Sequence, residues 1–221
     1  MLGRQARWVL LACACGAAGA QAQELRLADG RAAVAAGVVI VGAPPDAGAL
    51  LPADEGPAVL DRHGRARAQL RDADGHWLQA DLVASGQAIV APAADVPADS
   101  LGRLLALERA ARARGLGVWR DGGHGPWPAQ RVAARRGEFV LVEGRVAAVA
   151  RRGAYTYLDF GADWRRDFTL RAETKELDRF AAAGLDLERL AGRRILARGW
   201  LFESAGPMIE LVHPAQIEVE E

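Results

Sequence analysis

Apolar and polar positions along the chain mark out its elements. Residues 25–27 and the apolar stretch 32–41 flank Asp29-Gly30, a dipeptide suited to the positive-φ positions of a tight hairpin. Residues 42–58, rich in Gly, Pro, Ala and acid, read as a loop with room for a short helix. The stretch 65–70 reads as a strand ending at a second hairpin turn, Asp74-Gly75. Over 77–85, Leu78, Leu82 and Val83 follow helical spacing, and Gly86 stands where a left-handed glycine closes a helix. Ala88-Ile89-Val90 reads as a short strand. A longer helix with Leu101, Leu104, Leu105 and Ala111 on one face starts from an Asp99 or Ser100 cap. It stops at Gly115-Leu116-Gly117, and Val118-Trp119 packs as a terminal anchor.

The composition of residues 122–128, Gly-Gly-His-Gly-Pro-Trp-Pro, predicts a linker over 122–136. Strands follow at 139–149 and 154–160, separated by the Arg151-Arg152-Gly153 turn, and another at 168–171. Residues 175–183 read as a helix. A closing hairpin runs from 195–202 to 208–212 through Ser204-Ala205-Gly206-Pro207. Strands of this number around one helix fit a small five-stranded barrel of the OB type over 137–221.

The first 22 residues stand apart. Arg4 and Arg7 precede a short apolar run from Trp8 to Ala20, and Ala20-Gln21-Ala22 has the small-x-small form of a cleavage site. This pattern predicts a signal peptide and an exported, periplasmic or secreted protein; a lipoprotein reading through Cys13 is the weaker variant. Both cysteines, Cys13 and Cys15, fall in that segment, so a mature chain would have no disulfide, thiolate metal site or cysteine nucleophile. No uncharged apolar run reaches membrane-spanning length.

Charge adds one feature. The chain has 28 basic and 28 acidic residues, which excludes the strongly basic composition of a histone-like binder but not a local basic face. Residues 61–136 alone are net basic, with twelve basic against eight acidic groups.

Asp61-Arg62-His63-Gly64-Arg65 leads into a strand and then Asp74-Gly75. Next come Leu78-x-x-x-Leu82-Val83-x-x-Gly86-x-Ala88, a long helix and Gly117-Val118-Trp119. This order resembles the thermonuclease family over about residues 24–121. The resemblance implies an OB-like barrel with packed helices, and hydrolysis of DNA and RNA with a calcium ion. The expected fold class is therefore mainly β with packed helices (α+β). A thermonuclease-like barrel over 23–121 would precede a second OB-like barrel.

Hydrolysis of a phosphodiester needs a metal, a carboxylate to activate water, and arginines for the transition state. Carried over by position, Arg65 matches one family arginine, with His63 in place of tyrosine. The other positions depart. No Asp-Gly-Asp-Thr precedes Leu25, and Val41-Gly42-Ala43-Pro44-Pro45 occupies the acidic motif, so glycine and Pro45 replace the metal aspartate and general-base glutamate. The family's first arginine falls on Gly37 or Val34, Arg65 matching its second. Asp46, one residue late, is the carboxylate that could act with Arg65 as a catalytic pair. One carboxylate is a poor calcium site, so calcium is expected only if the nuclease reading holds.

Other candidates are binding residues. Arg62, Arg65 and Arg67, with Arg71, read either as a phosphate-binding strip or as solvated arginines on a strand. Tyr155, Tyr157 and Trp164, beside Arg165 and Arg166, suit base stacking next to a basic groove. Tyr155 and Tyr157 share one strand face and Leu158 and Phe160 the other, so one face must be core. His63, His76, His124 and His213 have no metal-ligand spacing. The expected function is binding of single-stranded nucleic acid or a phosphorylated polymer, with hydrolysis weak or lost. The alternatives are an active calcium-dependent phosphodiesterase and a periplasmic protein-interaction scaffold.

Overall fold

The computed structural model describes residues 23–43, 45, 48–53, 59–122 and 124–220. The expected signal peptide, both cysteines, Pro44 and Asp46 lie outside the described residues. Among those described, no helix is long and apolar enough to cross a membrane.

The first half contains β1 (Leu25–Arg26), β2 (Ala32–Ala35), β3 (Val38–Ile40), β4 (Leu51–Pro52), β5 (Val59–Leu60), β6 (Ala66–Ala68), β7 (Leu70–Arg71), α1 (Leu78–Ala84), β8 (Ala88–Val90) and α2 (Ala98–Ala113). The second contains β9 (Trp127–Pro128), β10 (Phe139–Arg145), β11 (Ala148–Arg152), β12 (Tyr155–Asp159), β13 (Thr169–Glu173), α3 (Leu177–Ala182), β14 (Arg194–Glu203), β15 (Pro207–Leu211) and β16 (Ile217–Val219). The fold is mainly β, with short helices packed on it.

Both Asp-Gly turns form: Gly30 donates to the Leu27 carbonyl, and Gly75 to that of Asp72. The apolar run 32–41 is not one strand. It breaks at Ala36-Gly37: before the break β2 pairs in parallel with β6, and after it β3 pairs antiparallel with β8. The 65–70 strand is likewise interrupted at Gln69. Two buried glutamines satisfy the backbone groups freed by these breaks. Gln69 donates to the Ala36 carbonyl, while Gln79 of α1 accepts from the Leu70 N–H and donates to the Ala68 carbonyl.

Helices α1, α2 and α3 end in the same hydrogen-bonded motif with glycine in the left-handed position. For α1, Gln87 N–H donates to the Leu82 carbonyl at 2.7 Å and Gly86 N–H to that of Val83 at 3.1 Å. Gly86 also meets the segment after α2, since Val118 N–H donates to the Gly86 carbonyl. Neither Asp99 nor Ser100 caps α2. The helix begins at Ala98, directly after Pro97, whose ring fixes φ and whose side chain offers no acceptor.

The second half forms one sheet of order β11-β12-β13-β15-β14-β10-β9, with β16 also on β14. Only Val146 and Ala147 separate β10 from β11 along the chain, yet the two strands lie toward opposite ends of that order. The sheet must therefore curl. Its inner face packs Val140, Val142, Leu158, Leu170, Ile195 and Leu201 against Phe180 of α3. The outer positions of β14 are Leu196, Arg198, Trp200 and Phe202, as period two requires. The 122–136 stretch differs from a bare linker in its latter part: β9 pairs in parallel with β10, and Ala129 and Val132 are buried in this core. The 151–153 turn also shifts, because β11 runs on through Arg152.

The halves share a seam. Val39, Ile89, Ala111 and Trp119 pack against Phe139, Leu141 and Leu196. Trp119 thus anchors the second half to the first rather than merely ending the first. Beside this patch lies Arg198, fully buried, which donates through Nη1 to Glu108 Oε1 of α2 at 2.7 Å and through Nη2 to Glu218 of β16. Glu108 Oε2 accepts the Val90 N–H at 2.6 Å.

Candidate nucleic-acid interface

The alternation of β12 resolves which tyrosine face is core. Thr156 and Leu158 point inward and are fully buried, leaving Tyr155 and Tyr157 half-buried on the outer face. β13 continues that face: Arg171 lies opposite Tyr157, while Arg152 of β11 lies opposite Tyr155. The two tyrosine rings stand 6.2 Å apart.

Guanidinium groups fill the spaces between the rings. Arg171 stacks 4.6 Å from the Tyr155 ring centre and 5.3 Å from that of Phe202. Arg152 lies 5.3 Å from Tyr157 and 5.6 Å from Trp164, and Arg165 is 4.5 Å from Trp164. Such contacts hold both partners flat and leave ring surface toward solvent. Carboxylates partly balance the charge: Asp159 pairs with Arg152 at 3.1 Å, and Glu210 with Arg171 at 3.0 Å. Beside Trp164 is a cavity of about 210 Å³, lined by Arg152, Tyr157, Asp159, Thr169 and Ser204. This surface can stack planar groups and donate hydrogen bonds to anionic oxygens.

Of the site residues expected from sequence, Tyr155, Tyr157 and Trp164 come together in this surface. Arg152, Arg171 and Phe202 belong to it and were not anticipated. Period two along β13 and β14 would have found the last two once the neighbouring strands were known.

The arginine strip is arranged differently. Arg65 pairs with Asp61 at 2.7 Å, and Arg67 forms a two-pronged pair with Asp95 at 2.6 and 3.1 Å. The Arg62 side chain donates to His63 Nε2, and Arg71 to the Gly75 carbonyl. These carboxylates thus grip guanidinium groups. Asp72, Asp74 and His76 also cluster, but as the second hairpin turn, with Asp72 accepting from both neighbours.

Asp61 is strongly held in its charged form. Burial raises its pKa, but the Arg65 side chain, aided by the backbone N–H groups of Arg65 and His63, outweighs that and brings it down to about 2. A depressed carboxylate stabilises the fold fully above its unfolded value near 3.8 and loses that contribution as pH falls through about 2. Carboxyl chemical shifts followed by NMR should put the Asp61 midpoint near 2. Stability measured between these two pH values should fall less steeply in Asp61→Asn than in the parent.

No protein-family model matches the chain, and no curated protein matches it.

Proposed function

We propose that this chain is an exported binding protein, built from a thermonuclease-like barrel and a second OB-type barrel. It takes up single-stranded nucleic acid on the outer face of the second barrel. The observation that carries this reading is the interleaving of Tyr155, Tyr157 and Trp164 with Arg152, Arg165 and Arg171. Bases have a π-face whatever their sequence, so such a surface binds single strands by stacking, with guanidinium groups contacting phosphates. The barrel assignment draws support from the strand order, in which the parallel pair β13 and β15 joins two antiparallel runs. Hydrolysis is weak or lost in this reading. Asp61 and Asp95 are each committed to an arginine, Arg65 and Arg67, which draws both carboxylates away from holding a metal or activating water.

Anisotropy of a fluorescent oligothymidylate, titrated at several salt concentrations, tests the proposal. Affinity should decline with salt, though gently, because few arginines on this face lack a carboxylate. Tyr157→Ala should weaken binding by about 1–3 kcal/mol, roughly 5- to 150-fold. Absent binding, or an unchanged affinity in Tyr157→Ala, would sink the reading. Chelator-sensitive cleavage of the oligonucleotide would favour the phosphodiesterase instead.

A further inference from the structure

The stacking surface does not end at Phe202. Phe202 and Trp200 lie two residues apart on the outer face of β14, about 6–7 Å along the strand. Trp200 stands edge-on to its cross-strand neighbour Phe139, 5.7 Å between ring centres, and keeps 44% of its surface exposed. Exposure on that scale is unusual for a tryptophan, since burying an aromatic ring is a large source of stability. Val212 beside it is 56% exposed. Both line a groove of about 410 Å³ between the two halves, whose opposite wall is Arg67, Pro92 and the β2–β3 segment.

Ring and guanidinium contacts carry this path as far as Phe202. Trp164 touches Arg152, Arg152 touches Tyr157, and Tyr157 neighbours Tyr155. Arg171 then bridges Tyr155 to Phe202. Phe202 itself lines the groove that holds Trp200. At the far wall, Arg67 commits Nε and Nη2 to Asp95, which leaves Nη1 outside that fork. A ligand following the rings would leave the second half and enter the first.

Resting on the function proposed above, we infer that the groove is the second segment of one continuous single-strand track, with Trp200 as a further stacking platform and Arg67 as a phosphate contact across the seam. The occupant is the same strand that stacks on Tyr155 and Tyr157. A single strand fits because aromatic platforms recur along the path and little net charge accompanies them, which favours stacking over purely electrostatic capture.

Length dependence tests this in the full chain. Labelled oligothymidylates of about 4 and about 16 nucleotides span the range of single-barrel sites. Trp200→Ala should weaken the long oligonucleotide on the order of tenfold and leave the short one unchanged. Trp200→Phe should restore most of the loss, which separates a missing platform from a misfolded protein. Tyr157→Ala should weaken both lengths alike. If Tyr157→Ala acts as stated but Trp200→Ala changes neither affinity, or both equally, the track is wrong while the binding face stands. If the parent binds neither length, both readings fall. Sedimentation that shows a dimer lost on Trp200→Ala would assign the groove to a second copy and overturn the track.

Discussion

Replacing Arg198 with leucine is expected to destabilise the chain by about 3–5 kcal/mol, the cost of leaving a buried charge without its partner. Arg198 and Glu108 are both fully buried. Without Arg198, the nearest cation to Glu108 is Arg112, whose Nε is 3.9 Å away. Glu108 cannot move to water without releasing the Val90 N–H it accepts. Unfolding in urea, followed by tryptophan fluorescence, should report the loss as a lower midpoint. The double variant Arg198→Met with Glu108→Gln should recover most of it. Glutamine still accepts the Val90 N–H, and neither side chain then carries a charge into the seam. A double variant as unstable as Arg198→Leu would show that packing volume, not charge, dominates here.

Gly86→Ala is expected to cost about 2–5 kcal/mol, for two reasons that add. At φ +72° a residue with a Cβ is strained by about 1–2 kcal/mol. That Cβ would also lie 2.2 Å from the Leu116 carbonyl oxygen, and forcing backbone apart in a packed region costs about 1–3 kcal/mol more. The same collision occurs in reverse at Gly117, 2.2 Å from the Gly86 carbonyl oxygen. Gly75 separates the two contributions. Its φ is +85°, but nothing lies within 4 Å of the Cβ position. Gly75→Ala should therefore show the conformational part alone. Equal losses at Gly75 and Gly86 in thermal melts would refute the steric account.

The features legible from sequence are those set by neighbouring residues. Asp29-Gly30 and Asp74-Gly75 announce turns because the backbone needs positive φ there, and the chain obliges. Gly86 and Gly115 announce helix ends for the same reason. The break inside the apolar run has a glycine at positive φ too, Gly37 at +82°, but a lone glycine there does not say which strand each side joins. Ala36-Gly37 divides two strands within a stretch that reads as one, since the pairing partners that separate them lie at 66–68 and 88–90. The strand at Trp127–Pro128 and the burial that follows it are hidden for a related reason. Gly and Pro dominate residues 122–128, but Val132 and Ala129 find a core that only the later strands build.

The candidate site was readable in part. Period two grouped Tyr155 with Tyr157, yet which face is outer depends on Leu158 meeting Leu170 and Ile209 across the sheet. That Arg67 keeps only part of its guanidinium for a ligand is not visible locally, because its partner, Asp95, comes 28 residues later. Nothing beside Arg198 along the chain marks it as buried. Its burial follows from Glu108, 90 residues earlier on another element.

Leu196, Arg198, Trp200 and Phe202 project from the same side of one strand. That strand therefore forms the seam at one end and, in the proposed reading, the stacking platform at the other, without a joint between them. A surface so fixed has little freedom of its own to surrender when occupied. Most of the ordering entropy in an encounter would then be lost by the flexible guest, which favours guests already partly stacked in solution.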